Sequence, residues 1–70
     1  MNRNLLRSKL MSQGKTLGDL AEELGISQQA MSAKVAGRQK FNSTQISKCI
    51  TYLNLSPNEL MSIFFADEVE

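Results

Sequence analysis

The chain contains no histidine and a single cysteine, Cys49. An intramolecular disulfide is therefore excluded, as is any familiar zinc site, which draws on several thiolates and imidazoles. A lone thiol fits a reducing compartment. No apolar run approaches the ~20 residues that cross a bilayer, and the first residues lack the apolar centre of a secretion signal. The expectation is a soluble, cytoplasmic protein with no membrane partner. Alternating apolar and polar residues are missing, as are internal repeats, so neither a sheet nor a solenoid is indicated. Catalytic parts are equally scarce: there is no histidine base, no glycine-rich phosphate loop and no base partner for Cys49. We expect no enzyme, no metal and no cofactor.

What is present is a chain of 70 residues, one small domain at most. A domain of this size buries only about 60% of its unfolded surface and has little stability to spare. The net charge is +1, but the charges are segregated. Residues 1–15 carry Arg3, Arg7, Lys9 and Lys15 without an acid, and residues 26–58 carry Lys34, Arg38, Lys40 and Lys48 without an acid. The acids fall into two blocks: Asp19, Glu22 and Glu23, then Glu59, Asp67, Glu68 and Glu70. Such asymmetry suggests one basic face for a polyanion and an acidic far side.

Start and stop signals divide the chain into five helices. The first begins near Asn2 or Asn4, places Leu6 and Leu10 at i, i+4, and ends at Gly14. Thr16 caps the second, with Asp19 in capping-box position and a stripe of Leu17, Leu20, Ala21 and Leu24. Gly25 stops it in the left-handed conformation that glycine adopts without penalty. Ser27 caps the third, with Ile26 set to staple onto Met31. Asn42 and Gln45 cap the fourth, which buries Ile46, Cys49 or Ile50, and Leu53; Phe41 is placed to staple onto Ile46. The fifth has Ser56 at the cap, Pro57 at the first helical position, Glu59 three residues past the cap, Leu55 facing Leu60, and an inward stripe of Leu60, Ile63 and Phe64. Cys49 reads as a small core residue. The fold class is all-α, with residues 1–66 forming one domain and 67–70 an acidic tail.

Residues 17–36 carry the most information. Two short helices joined by three or four residues, with glycine in the turn, must cross steeply. Ala21 supplies the small side chain where they approach most closely. That is a helix-turn-helix, whose second helix enters the DNA major groove. Here the sequence resembles the Cro/repressor (XRE-type) helix-turn-helix domains of bacteriophages and their hosts. The resemblance lies in "TLGDLAEELGISQQAMSAKVAGRQKF" followed by "LNLSPNEL", and runs from about Leu5 to Phe64. It implies a compact, five-helix, lambda-repressor-like domain that binds double-stranded DNA. Two positions depart from the family pattern. Leu10 and Val35 stand where members often carry a buried Arg–Glu pair, an exchange that need not cost stability. Lys34 occupies a place that is usually apolar, so helix three is expected to roll and bring Val35 inward.

With Met31 pointing inward and a step of about 100° per residue, Gln29, Ala33 and Ala36 point outward, Ser32 lies beside them, and Gln28 sits at the exposed start. A face meant for water has no reason to avoid Lys and Glu, whereas a face meant to lie on base edges does. Glutamine can bond adenine N6 and N7 together, serine can donate or accept, and an alanine methyl can touch a thymine methyl. The resemblance assigns base contacts to the same four positions, Gln28, Gln29, Ser32 and Ala33. Lys15, Lys34, Arg38 and Lys40 are the expected phosphate contacts. They are joined by Ser27 and by the backbone N–H groups near Thr16–Leu17 and Asn42–Ser43.

On helix five, Met61 and Phe65 lie i, i+4 off the inward stripe and form a candidate dimer patch. The resembling family often dimerises near its last helix, and a two-fold dimer sets two reading helices about 34 Å apart. The expected role is a sequence-specific operator-binding repressor of phage or mobile-element type in a bacterial host. The alternative is a protein-interaction module of the same fold, antitoxin- or antirepressor-like.

Overall fold

The computed structural model describes residues 1–66 and contains five helices. These are α1 (Arg3–Ser12), α2 (Leu17–Leu24), α3 (Gln28–Val35), α4 (Ser43–Leu53) and α5 (Pro57–Phe64). The acidic tail expected at 67–70 lies outside the described residues.

Every helix starts where a side-chain oxygen meets an orphan N–H. Asn2 caps α1 by accepting from the Leu5 N–H at 3.1 Å, which decides between the two candidate starts. Full capping boxes open α2, α4 and α5, from Thr16 with Asp19, Asn42 with Gln45, and Ser56 with Glu59. Ser27 caps α3 by accepting from the Ala30 N–H at 3.0 Å. Each such cap stabilises its helix by about 1 kcal/mol, a large share for helices of 8 to 11 residues.

The helix ends are as ordered as the starts. α1 closes at Ser12, and Gly14 follows two residues later at φ +67°. The Lys15 N–H reaches the Leu10 carbonyl at 2.9 Å, a Schellman closure. α4 ends on Asn54 at φ 52°, the one non-glycine residue with positive φ among the described residues. Asparagine tolerates that conformation better than other L residues.

The core consists of Leu6, Leu10, Leu20, Ala21, Leu24, Met31, Val35, Cys49, Leu53, Leu55 and Ile63. Val35 does take the inward place beside Met31, and Leu10 is buried with it, so an apolar set fills the interior where an ion pair was dispensable. No charged or polar residue is buried among the described residues. Burial pushes the Cys49 thiol up to about 11. Four apolar residues expected inside are only half-buried: Leu17, Ile46, Leu60 and Phe64. Phe41 and Phe64 meet edge to face with ring centroids 5.3 Å apart, so Phe41 docks α5 as well as flanking Ile46.

Polar contacts close the bundle. The Asn2 N–H donates to the Ile63 carbonyl at 2.8 Å, and Lys9 pairs with Glu59 at 2.6 Å, joining α1 to α5. On the other side, the segment between α1 and α2 holds the C-terminus of α4. Gln13 Nε2 donates to the Leu53 carbonyl at 2.7 Å, and Lys15 Nζ donates to the Tyr52 carbonyl at 2.8 Å. Lys15 also lies 4.1 Å from the centroid of the Tyr52 ring. The last carbonyls of a helix lack intrahelical partners and carry its negative dipole end, so an ammonium there is doubly favourable.

Candidate nucleic-acid interface

α2 and α3 are joined by Gly25, Ile26 and Ser27. Gly25 adopts φ +72°, and the Ile26 N–H returns to the Ala21 carbonyl at 3.0 Å, turning the chain out of α2 at once. The left-handed conformation makes this a glycine position. Ala21 is 2% exposed, small enough for α3 to cross close over α2. Met31 and Val35 then anchor the inner face of α3 in the core.

The outer face carries Gln28, Gln29, Ser32 and Ala36, all exposed. Ala33, expected to point fully outward, is half-buried. Its carbonyl accepts from the N–H groups of Arg38 and Gln39 at 2.9 and 3.3 Å, which closes the C-terminus of α3 where Gly37 turns the chain.

The expected phosphate contacts divide into two groups. Arg38 and Lys40 are exposed in the segment after α3. Lys34 is held instead, with Nζ donating to the Lys40 carbonyl at 2.9 Å and lying 5.7 Å from the Phe41 ring centroid. Lys15 is committed to the end of α4, as described above. Sequence spacing cannot distinguish a cation aimed at solvent from one that caps a distant helix. Lys34 and Lys15 fix the backbone on which other donors stand.

The helix starts also differ. At α2 the Thr16 N–H is already bonded to Asp19 Oδ2 at 2.9 Å, which also sets a carboxylate on the positive end of the helix. At α4 the Asn42 N–H is bonded to Gln45 Oε1 at 3.1 Å, a neutral partner. The remaining first-turn N–H groups, Leu17 and Gly18 in α2 and Ser43 and Thr44 in α4, have no intrahelical acceptor. Only α4 presents them without a competing carboxylate in its own cap.

Charge is polarised along α4. Its start adjoins Arg38 and Lys40 in sequence. Its end, at Tyr52, feels the acids of α2: desolvation, then Asp19, Glu23 and Glu22, raise the phenol above its ordinary pKa of 10.0. The acids thus gather at the opposite end from the cations that follow α3.

A tight glycine turn, two short helices packed against each other across it and an exposed, uncharged outer face on the second have the form of a helix-turn-helix DNA-binding domain. The XRE-type helix-turn-helix family model matches residues 6–60, most of the 70-residue chain, and the protein belongs to that family. Comparison with curated proteins and with solved structures gave no match. Among the described residues no helix is long and apolar enough to span a membrane.

Two residues that position this surface escape notice in the sequence. Gln13 acts on a carbonyl 40 residues away, which no local pattern encodes. Gly18 did leave a signal: a glycine inside the first turn of a well-capped helix, where alanine would favour the helix.

Proposed function

We propose that the chain is a sequence-specific regulator that binds double-stranded operator DNA through α3 and represses transcription by occupying a promoter. The observation that carries this reading is the exposed, uncharged face of Gln28, Gln29 and Ser32, with the half-buried Ala33 next to it, on a helix anchored by Met31 and Val35. Gln28 and Gln29 offer paired donors and acceptors to base edges, Ser32 adds an adaptable hydroxyl, and Ala33 suits a thymine methyl. Arg38, Lys40, Ser27 and the α4 start at Asn42–Ser43 supply phosphate contacts. The α2 start at Thr16–Leu17 is a weaker anchor because of Asp19. Lys15 and Lys34 serve the scaffold first. The setting is the cytoplasm of a bacterial cell, and the regulator is of phage or mobile-element type.

We also infer a homodimer through the α1–α5 side, on a patch different from the expected one. Phe65 caps α5 in a non-helical conformation and lines a cavity of about 270 Å³ with Phe41 and Phe64. Met61 is 46% exposed and shares a surface groove with Leu5, itself 42% exposed. In this reading the patch is Met61 with Leu5, with the half-buried Phe65 at the neighbouring cavity.

Selection of bound duplexes from a randomised pool, for the intact chain and for Gln29→Ala, tests the reading. A palindromic consensus is expected, with preference relaxed by about 1–3 kcal/mol at defined positions in the variant. Absence of any enriched sequence, with binding that vanishes as salt rises, would leave nonspecific attraction only and favour a protein partner.

A further inference from the structure

We propose that Gly18 is a specificity-setting position, acting through Gln28 and resting on the operator-reading role given above. Gly18 lies in the first turn of α2, between Leu17 and the capping-box residue Asp19. A Cβ built on it would stand 3.2 Å from Gln28 Nε2, 3.9 Å from Gln28 Cδ and 3.5 Å from Thr16 Oγ1. The carboxamide of Gln28 therefore lies back across the start of α2, in space that exists only because residue 18 has no side chain. A real Cβ contact is rarely as short as 3.2 Å, so an alanine here displaces the amide by a few tenths of an ångström.

The consequence is geometric. Gln28 is the first residue of α3 and is exposed, so little besides this seat restrains its side chain. Paired hydrogen bonds to a base require the amide plane to be set, and ordering a free glutamine side chain on binding costs entropy. Seating the amide on Gly18 lowers that cost and gives it one direction of approach. Glycine in a helix otherwise brings only a disadvantage.

The test compares the intact chain with Gly18→Ala, Gln28→Ala and the double variant, measuring affinity for the selected operator and for its single-base variants. Gly18→Ala should melt at the same or a higher temperature, because alanine favours the helix, yet lose about tenfold in preference at one base pair of each half-site. In the Gln28→Ala background the same substitution should change that preference less than twofold, since its target is gone. In the free protein, nuclear Overhauser contacts between the Gln28 side-chain amide and the Gly18 α-protons should be present, and the amide should shift in Gly18→Ala. Equal losses in both backgrounds would overturn the inference, as would an unchanged preference in Gly18→Ala. If the intact chain prefers no sequence, the operator reading fails and this inference fails with it. If the intact chain discriminates and only the cycle is flat, the reading survives and the inference alone is lost.

Discussion

Removing the charge of Lys15 separates a scaffold role from a DNA-binding role. In Lys15→Met the aliphatic stem is kept, but the hydrogen bond to the Tyr52 carbonyl, the contact with the Tyr52 ring and the bond to Gln13 Oε1 at 3.0 Å are lost. A hydrogen bond from a charged donor contributes ~1.5–3 kcal/mol, a cation over an exposed ring ~0.5–1, and a cation at a helix C-terminus ~0.3–1. These overlap, because one ammonium makes them all, and Lys15 is only half-buried. We therefore expect a loss of about 2 kcal/mol, a substantial part of the total for so small a domain. At 4–8 °C per kcal/mol for domains of this size, the melting temperature should fall by roughly 10 °C. Thermal unfolding followed by circular dichroism measures that fall, and the slope of operator affinity against salt supplies the second arm. A phosphate-bound lysine contributes about one unit to that slope, so a scaffold lysine should leave it unchanged. A melting temperature within 2 °C of the parent, together with a slope reduced by about one, would refute the argument.

Further outcomes follow from other parts of the structure. Cys49 should resist thiol reagents in the native state at neutral pH and react only on unfolding, which a dye-release assay with and without denaturant reads directly. The raised thiol pKa also sets a pH limit: stability should be intact below about 9.0 and fall between there and about 11, as the unfolded thiol ionises first. Glu59 is held below its ordinary 4.5, chiefly by the Lys9 hydrogen bond and then by the Ser56 backbone. Its contribution is therefore present above that value and lost as pH falls through the folded pKa, so Glu59→Gln should flatten the acid limb of a urea-midpoint series. Met61→Asp should shift sedimentation from dimer to monomer and remove the concentration dependence of the melting temperature, whereas an unchanged dimer would place the interface elsewhere.

Local chemistry made most of the fold legible. Thr16, Ser27, Asn42 and Ser56 each bond an N–H three residues on, and Gly25 turns left-handed where the α2 stripe stops. Those signals need no tertiary information, because cap and partner are neighbours in sequence. What the sequence hid was long-range. Lys15 finds the α4 terminus 37 residues away, and Gln13 finds it 40 residues away. Lys34 was recognised as out of place for its family. Its tie to the Lys40 carbonyl depends on how the chain returns after Gly37, which periodicity does not specify. On the outer face of α3 the pattern located Gln28, Gln29 and Ser32 on the surface, but Ala33, set outward by the same periodicity, is half-buried, because helical phase alone does not specify what packs beside it.

The measurement to make first is a titration of the isotope-labelled protein with its selected operator, followed by amide and side-chain resonances at near-physiological salt. The largest shifts should fall on Gln28, Gln29, Ser32 and Ala33, with the glutamine side-chain amides slowed in exchange, and smaller shifts at Ser43 and Thr44. Largest shifts on Leu5, Ser8, Met61 and Ser62, with α3 unmoved, would mean that the α1–α5 groove is the binding surface and that α3 does not read DNA.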